Sequence, residues 1–173
     1  MINVLTYDQA STEITPTKST GHALTLEDGT QLFYRAWIPS EPAQRALVIF
    51  HRGHEHSGRL EDVVRDLHLR DIAVFAWDAR GHGHSEGPRG YAPSFSCTAR
   101  DTDEFIRHVS HTHGIQVEDM VVLGHSVGAV TVAEHWPVTS GRLVTLATGG
   151  RLSCTITVRV TCTAALPTVS LTL

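Results

Sequence analysis

The sequence has no apolar run approaching the roughly 18 to 20 residues of a membrane-spanning helix, so no transmembrane segment is expected. Its first twenty residues, MINVLTYDQASTEITPTKST, lack both the basic start and the apolar block of a secretory signal peptide. There are only three cysteines, Cys97, Cys154 and Cys162. An odd number at no metal-ligand spacing argues against a disulfide scaffold or a thiolate zinc site and fits a reducing, cytoplasmic compartment. The net charge of −4 gives no basic footprint, so no nucleic-acid partner is expected. Aromatics are scarce at 6%, but 41% of the 173 residues are apolar and 18% are charged. Those proportions exclude disordered, collagen-like and coiled-coil chains and suit one globular domain with a buried core.

Another deficit is local. Residues 137–173 contain no Asp, Glu, Lys, His or aromatic side chain, while nine of these 37 residues are Thr. The composition therefore breaks near residue 136. It divides the chain into an N-terminal arm (1–20), a domain (21–136) and an aberrant Thr-rich tail (137–173).

Between arm and tail the pattern alternates strand and helix. Residues 22–27 (HALTLE) and 31–38 (QLFYRAWI) flank an Asp28-Gly29 turn and predict a β-hairpin. Residues 46–50 (ALVIF), 72–77 (IAVFAW) and 120–123 (MVVL) are short continuous apolar runs, as expected for strands buried on both faces. Leu60, Val63, Val64 and Leu67 recur at helical spacing among charged residues. Phe105, Ile106 and Val109 mark a second helix within about 98–111, and a third is expected from the glycine-serine segment to about Glu134. Strands alternating with helices imply a parallel sheet covered on both faces.

The strongest chemical signal is Gly124-His125-Ser126-Val127-Gly128, a G-x-S-x-G segment between a buried strand and a helix. A strand that turns sharply into a helix and still presents a serine needs space on both sides of it, which Gly124 and Gly128 supply. Ser126 is then the candidate nucleophile at a helix N-terminus, where free N–H groups favour developing negative charge. The Val127 N–H is a candidate oxyanion donor. Residues 51–59 (HRGHEHSGR) follow the first buried strand and offer Gly53 N–H as the second donor. Asp78, Arg80, Gly81, His82 and Gly83 lie in a tight loop after the second buried strand. Buried Asp and Arg in such loops usually satisfy backbone groups, which is the expected role here.

Taken in order, these segments resemble the α/β-hydrolase superfamily, and within it the monoacylglycerol lipase and lysophospholipase branch (serine aminopeptidase-like, "hydrolase 4"). The matching residues are His51, Gly53 and 55–59, then Asp78, 80–83, Ser85 and Gly87, then 89–91, and Gly124, His125, Ser126 and Gly128, across about residues 22–135. The resemblance implies an α/β chain holding the N-terminal half of an α/β-hydrolase fold: a β-hairpin, then a parallel βαβαβ sheet with helices on both faces, truncated after the nucleophile elbow. It implies a carboxylic-ester hydrolase acting on a small lipid ester of the monoacylglycerol or lysophospholipid type, with no cofactor and no metal. His125 is implied to pack beneath the elbow. One departure stands out, because Arg52 and His54 occupy the two glycine positions of the family's H-G-x-G oxyanion loop.

A serine nucleophile needs a histidine base and an acid to orient it, which in this superfamily follow the serine as acid and then histidine. After Ser126 there is one acid, Glu134, and one histidine, His135. Neighbours on a helix diverge by about 100°, so this pair cannot form the relay. The triad acid and histidine are therefore absent. Two other readings compete. One is a non-catalytic remnant or interaction module, since a sheet cut after the elbow leaves apolar surface uncovered. The other is a metal site built from His51, His54 and His56 on one loop and His82 and His84 on another. His108, His111 and His113, beside Arg107, are expected to form a solvated face.

The simultaneous loss of acids and of periodicity near one point suggests a shifted reading frame. Translation of the gene beyond codon 134 in its other two frames should yield, in one of them, a strand, an Asp-containing loop and a later His. If neither frame does so, the frame-shift reading fails.

Overall fold

The computed structural model describes residues 18–135 and three later strands, Arg142–Ala147, Thr155–Arg159 and Ser170–Thr172. Most of the expected arm, and the parts of the expected tail before, between and after these strands, lie outside the described residues. The chain opens with β1 (Thr20–Thr25) and β2 (Gln31–Trp37), paired antiparallel in the register Leu24↔Leu32. Gly29 makes the turn possible with φ of 86°, a left-handed backbone that a side chain would resist. The hairpin is closed by Leu26 N–H donating to Thr30 O at 2.9 Å.

The buried runs form the middle of the sheet. They are β3 (Arg45–Phe50), β4 (Ile72–Trp77) and β5 (Met120–His125), with β6 (Arg142–Ala147) beyond them. β3 pairs parallel with both β4 and β5, and β5 pairs parallel with β6. β2 joins the other side of β4 antiparallel. The strands β7 (Thr155–Arg159) and β8 (Ser170–Thr172) continue the sheet antiparallel, in the order β1-β2-β4-β3-β5-β6-β7-β8. Seven residues separate β6 from β7, too few for a parallel crossover, which needs a dozen or more.

Helices cover both faces. α1 (Glu61–Asp66) follows a 3₁₀ turn at Ser57–Leu60 and buries Val64 against Trp37, Ile49, Val74 and Ala76. α2 (Phe95–His113) and α3 (Val127–His135) lie on the opposite face. There Phe105, Ile106, Val109 and Val132 meet Phe50, Phe75 and Trp77, with Phe105 and Phe50 at an edge-to-face centroid distance of 5.9 Å. The period-two alternation of β4 produces both cores, since Phe75 and Trp77 point to one face and Val74 and Ala76 to the other. Each fully buried large side chain contributes about 1.5 to 3 kcal/mol. α2 is longer than its periodicity suggests because both ends are capped. Ser94 Oγ accepts from Cys97 N–H at 3.1 Å, and Gly114 ends the helix with φ of 68°. Among the described residues no helix is long and apolar enough to cross a membrane.

The histidines at the end of α2 correct one expectation. His111 is exposed, but His108 and His113 turn inward onto the β-hairpin. The Tyr34 hydroxyl sits 3.2 Å from His108 Nε2 and 3.3 Å from His113 Nε2, so it can donate to one ring and accept from the other. The His22 ring stacks on Tyr34 at 5.1 Å, and the His113 ring lies 4.5 Å from that of Phe75. Tyr34 is 1% exposed, and burial pushes its phenol pKa up. Burial, followed by repulsion from neighbouring imidazoles, holds His108 and His113 below the usual histidine range.

A histidine whose folded pKa is depressed binds its proton more readily when unfolded. Stability from this cluster is therefore complete above the unfolded pKa of about 6.5 and is lost as pH falls through the window beneath it. Tm should drop as pH falls below about 6.5, and more gently in His108→Gln/His113→Gln, whose amides can still bond Tyr34 without titrating. Equal slopes in thermal melts of the two proteins would remove this cluster as the cause.

Candidate functional site

The C-terminal ends of β3, β4 and β5 lie side by side, and three loops leave from them. At the end of β5 the chain turns into α3 through Ser126, whose φ is 55°, a left-handed conformation rare for a side-chain-bearing residue. Two close approaches force this geometry. A Cβ on Gly124 would stand 2.5 Å from Ala129 Cα, and one on Gly128 would stand 2.5 Å from Phe50 O and 2.7 Å from His51 O. The helix start is thus pressed both onto its own strand and onto the end of β3. Ser126 O accepts from Ala129 N–H at 3.0 Å and from Val130 N–H at 3.3 Å, which starts α3. Ser126 is half-buried and Val127 is exposed.

The loop after β3 faces this turn. Val127 Cγ1 lies 3.9 Å from where a Gly53 Cβ would stand, so the two residues assigned as oxyanion donors are neighbours. His54, at one of the family's glycine positions, has φ of 62°, which explains why glycine is usual there. Arg52, at the other, forms an ion pair with Glu55 at 2.8 Å.

His51 is 3% exposed and ties this loop to the next. Its Nδ1–H donates to Arg52 O at 2.6 Å, and its Nε2 accepts from Ala79 N–H at 3.0 Å. A carbonyl only accepts and an amide N–H only donates, so the ring is the neutral Nδ1–H tautomer. Burial, the largest influence, pushes its pKa down in agreement. With both nitrogens engaged, His51 is available neither as a base for Ser126 nor as a metal ligand. His56 Nδ1 likewise accepts from Gly58 N–H at 3.2 Å. Among the described residues no three His, Cys, Asp or Glu groups converge on a metal position.

The loop after β4 is held by Asp78, which is fully buried. Its two carboxylate oxygens accept from Ser57 N–H at 2.6 Å and His84 N–H at 2.9 Å, joining the β3 and β4 loops. Ser85 Oγ donates to Asp78 O and accepts from Phe33 N–H, which anchors the loop to β2. Gly83 has φ of 48°, and a Cβ there would collide with the Asp78 carboxylate. Gly81 is equally constrained, by Pro88 O. His82 Nδ1–H donates to Arg80 O at 3.0 Å. Arg80 makes a two-pronged ion pair with Asp101 of α2, Nε to Oδ2 and Nη2 to Oδ1, each at 2.9 Å, and its pKa is driven further up by that carboxylate. Asp101 is absent from the sequence reading. Its signal was an acid on the buried stripe Cys97-Asp101-Phe105 of α2, a position that calls for a buried cation.

Glu134 and His135 occupy the last two positions of α3. At about 1.5 Å rise per residue, His135 lies roughly 13 Å along the axis from Ser126.

Comparison with known proteins agrees with this geometry. The family described as "Serine aminopeptidase, S33" (Hydrolase_4) matches residues 41–151, including β6. The chain is 52% identical over 113 residues to YnbC of Escherichia coli (strain K12), a match covering 65% of this chain and 19% of that protein. It is 37% identical over 113 residues to the monoglyceride lipase of Homo sapiens, covering 62% of this chain and 36% of the lipase. Among solved structures, a hydrolase from Pseudomonas aeruginosa PA01 superposes with a TM-score of 0.58 at 25% identity, over 76% of this chain and 48% of that one. The chain thus spans between about a fifth and two fifths of these curated relatives.

The elbow's crowding makes a measurable prediction. Gly124→Ala should cost about 2 to 4 kcal/mol in urea unfolding, because backbone must move. Gly90→Ala, at a φ of 68° with open space around it, should cost only about 1 to 2 kcal/mol. Equal costs would contradict the close approach. The protein belongs to the serine aminopeptidase S33 (Hydrolase_4) family of α/β-hydrolases.

Proposed function

We propose that this chain carries the nucleophile half of a carboxylic-ester hydrolase site, with Ser126 as nucleophile and the N–H groups of Val127 and Gly53 as oxyanion donors. The observation that supports the reading most is the left-handed Ser126 at the start of α3, with Gly53 directly across from Val127. The substrate class is a monoacylglycerol or lysophospholipid-type ester. The likeness to monoglyceride lipases from Homo sapiens and Mycolicibacterium smegmatis supports that class.

In this mechanism Ser126 Oγ attacks the ester carbonyl carbon and its proton passes to a base. The carbonyl oxygen becomes an oxyanion held by the two N–H groups. Collapse expels the alcohol, which takes up the proton, and leaves an acyl-serine. Water then adds to the acyl carbon and releases the carboxylic acid and free Ser126. The nucleophile and the two oxyanion donors are the parts of this sequence of steps that the chain itself supplies.

The base and its orienting acid are the weak point. Glu134 and His135 are adjacent at the end of one helix, and His51 is fully engaged. The proposal therefore assigns slow, oxyanion-assisted chemistry to these 173 residues, and full rate to a polypeptide whose later residues provide an acid and a histidine. The family match runs in frame to residue 151, so only the residues after it, 152–173, with six Thr and no acid, are assigned to a shifted frame.

A fluorophosphonate probe tests the nucleophile. Intact mass should show a single adduct on the 173-residue chain, absent from Ser126→Ala. Turnover of a p-nitrophenyl ester should be on the order of 10⁶-fold below that of a complete triad enzyme, and still about 10³- to 10⁴-fold above the uncatalysed rate. A folded wild-type chain that takes no adduct, or an adduct that survives Ser126→Ala, would defeat the assignment. No adduct would favour a non-catalytic module.

A further inference from the structure

On the α1 face, away from the elbow, lies a cavity of about 580 Å3. Its apolar wall is made by Trp37 of β2, Ile72 and Val74 of β4, and Val64 and Leu69 of the α1 segment. Neither Ser126, Val127 nor Gly53 contributes to it. Ile72 opens β4, whereas the elbow stands at the opposite, C-terminal end of the strands. The volume falls in the range typical of small-molecule sites.

The remaining wall is cationic. Lys18, Arg35 and Arg65 line it together with His68, against the single carboxylate of Glu61. Arg65 is already paired with Asp62 at 2.6 Å. Arg35 is not well served. Its Nη1 reaches Glu61 Oε1 only at 3.4 Å and Ser19 Oγ at 3.5 Å, while its Nε is buried with no partner. Glu61 meanwhile accepts a shorter bond, 2.9 Å, from Ser19 Oγ. A guanidinium carries five donors in a planar fork suited to a carboxylate, and a buried donor left unpaired is costly.

We infer that this cavity is a binding site for a single-chain fatty carboxylate, its alkyl chain against Trp37, Val64 and Leu69 and its carboxylate against Arg35 and Lys18. The juxtaposition selects both halves of the ligand. Apolar wall alone would take an alcohol as readily as an acid, and the cations alone would hold acetate. A fatty acid is also the class of product that hydrolysis of an acyl ester releases, so the cavity would retain product away from the nucleophile. The site does not depend on Ser126.

Calorimetric titration of the full chain as Ser126→Ala, with sodium laurate below its micelle concentration, tests this. Laurate should bind at least tenfold more tightly than dodecanol or acetate, and no more weakly than dodecyl phosphate. Arg35→Gln should weaken laurate at least tenfold and leave dodecanol unchanged. Leu69→Trp, which narrows the cavity without altering charge, should also weaken laurate, and it decides the matter if Arg35→Gln fails to fold. Laurate binding no tighter than dodecanol or acetate, or unaffected by Leu69→Trp, would overturn the inference. Tighter binding of dodecyl phosphate would overturn the carboxylate assignment. None of these results bears on fluorophosphonate labelling at Ser126, so the two proposals stand or fall separately.

Discussion

The first turn of α3 lies so close to the end of β3 that residue 128 has no room for a side chain, because Phe50 O and His51 O occupy that space. The geometry of the elbow follows from this contact. The strand must reverse into the helix within one residue, which drives Ser126 to a φ of 55°. The same reversal presses Ala129 onto Gly124 and lifts Val127 to the surface opposite Gly53. A serine in an ordinary helix start would not be held between two loops in this way.

The second level of organisation is polar. Loops at a sheet edge need their backbone groups satisfied, and here buried side chains supply the partners. His51 joins Arg52 O to Ala79 N–H, and Asp78 joins Ser57 N–H to His84 N–H. Arg80 then fastens the β4 loop to α2 through Asp101. These residues look chemically eligible, as a cluster of His and Asp always does, but their lone pairs and protons are already committed. That commitment separates them from Ser126, which is half-buried, and from Val127, which is exposed.

Much of this was legible in the sequence. The short apolar runs at 46–50, 72–77 and 120–123 became the three central strands because continuous apolarity is what a strand covered on both faces requires. The Asp28-Gly29 turn was equally plain. α2 was read short, since periodicity marks the buried stripe while Ser94 and Gly114 mark the ends. His111 is exposed as expected, but His108 and His113 were misread as solvated. Their helix positions alone gave no hint that Tyr34, more than seventy residues earlier, would bring them inward.

The sequence by itself determined the alternation of strands and helices, the glycines around Ser126 and the order of the three loops, since these depend on local backbone geometry and short-range periodicity. It also determined that Glu134 and His135 are adjacent, which no fold can change. Only the tertiary structure decided that His51 is a neutral tie, that Arg80 finds Asp101, that His54 takes a glycine's conformation, and that Arg35 ends in a cavity wall short of partners. Each of those outcomes joins groups on separate elements, or depends on how separate loops pack, and no local pattern encodes the approach of distant segments.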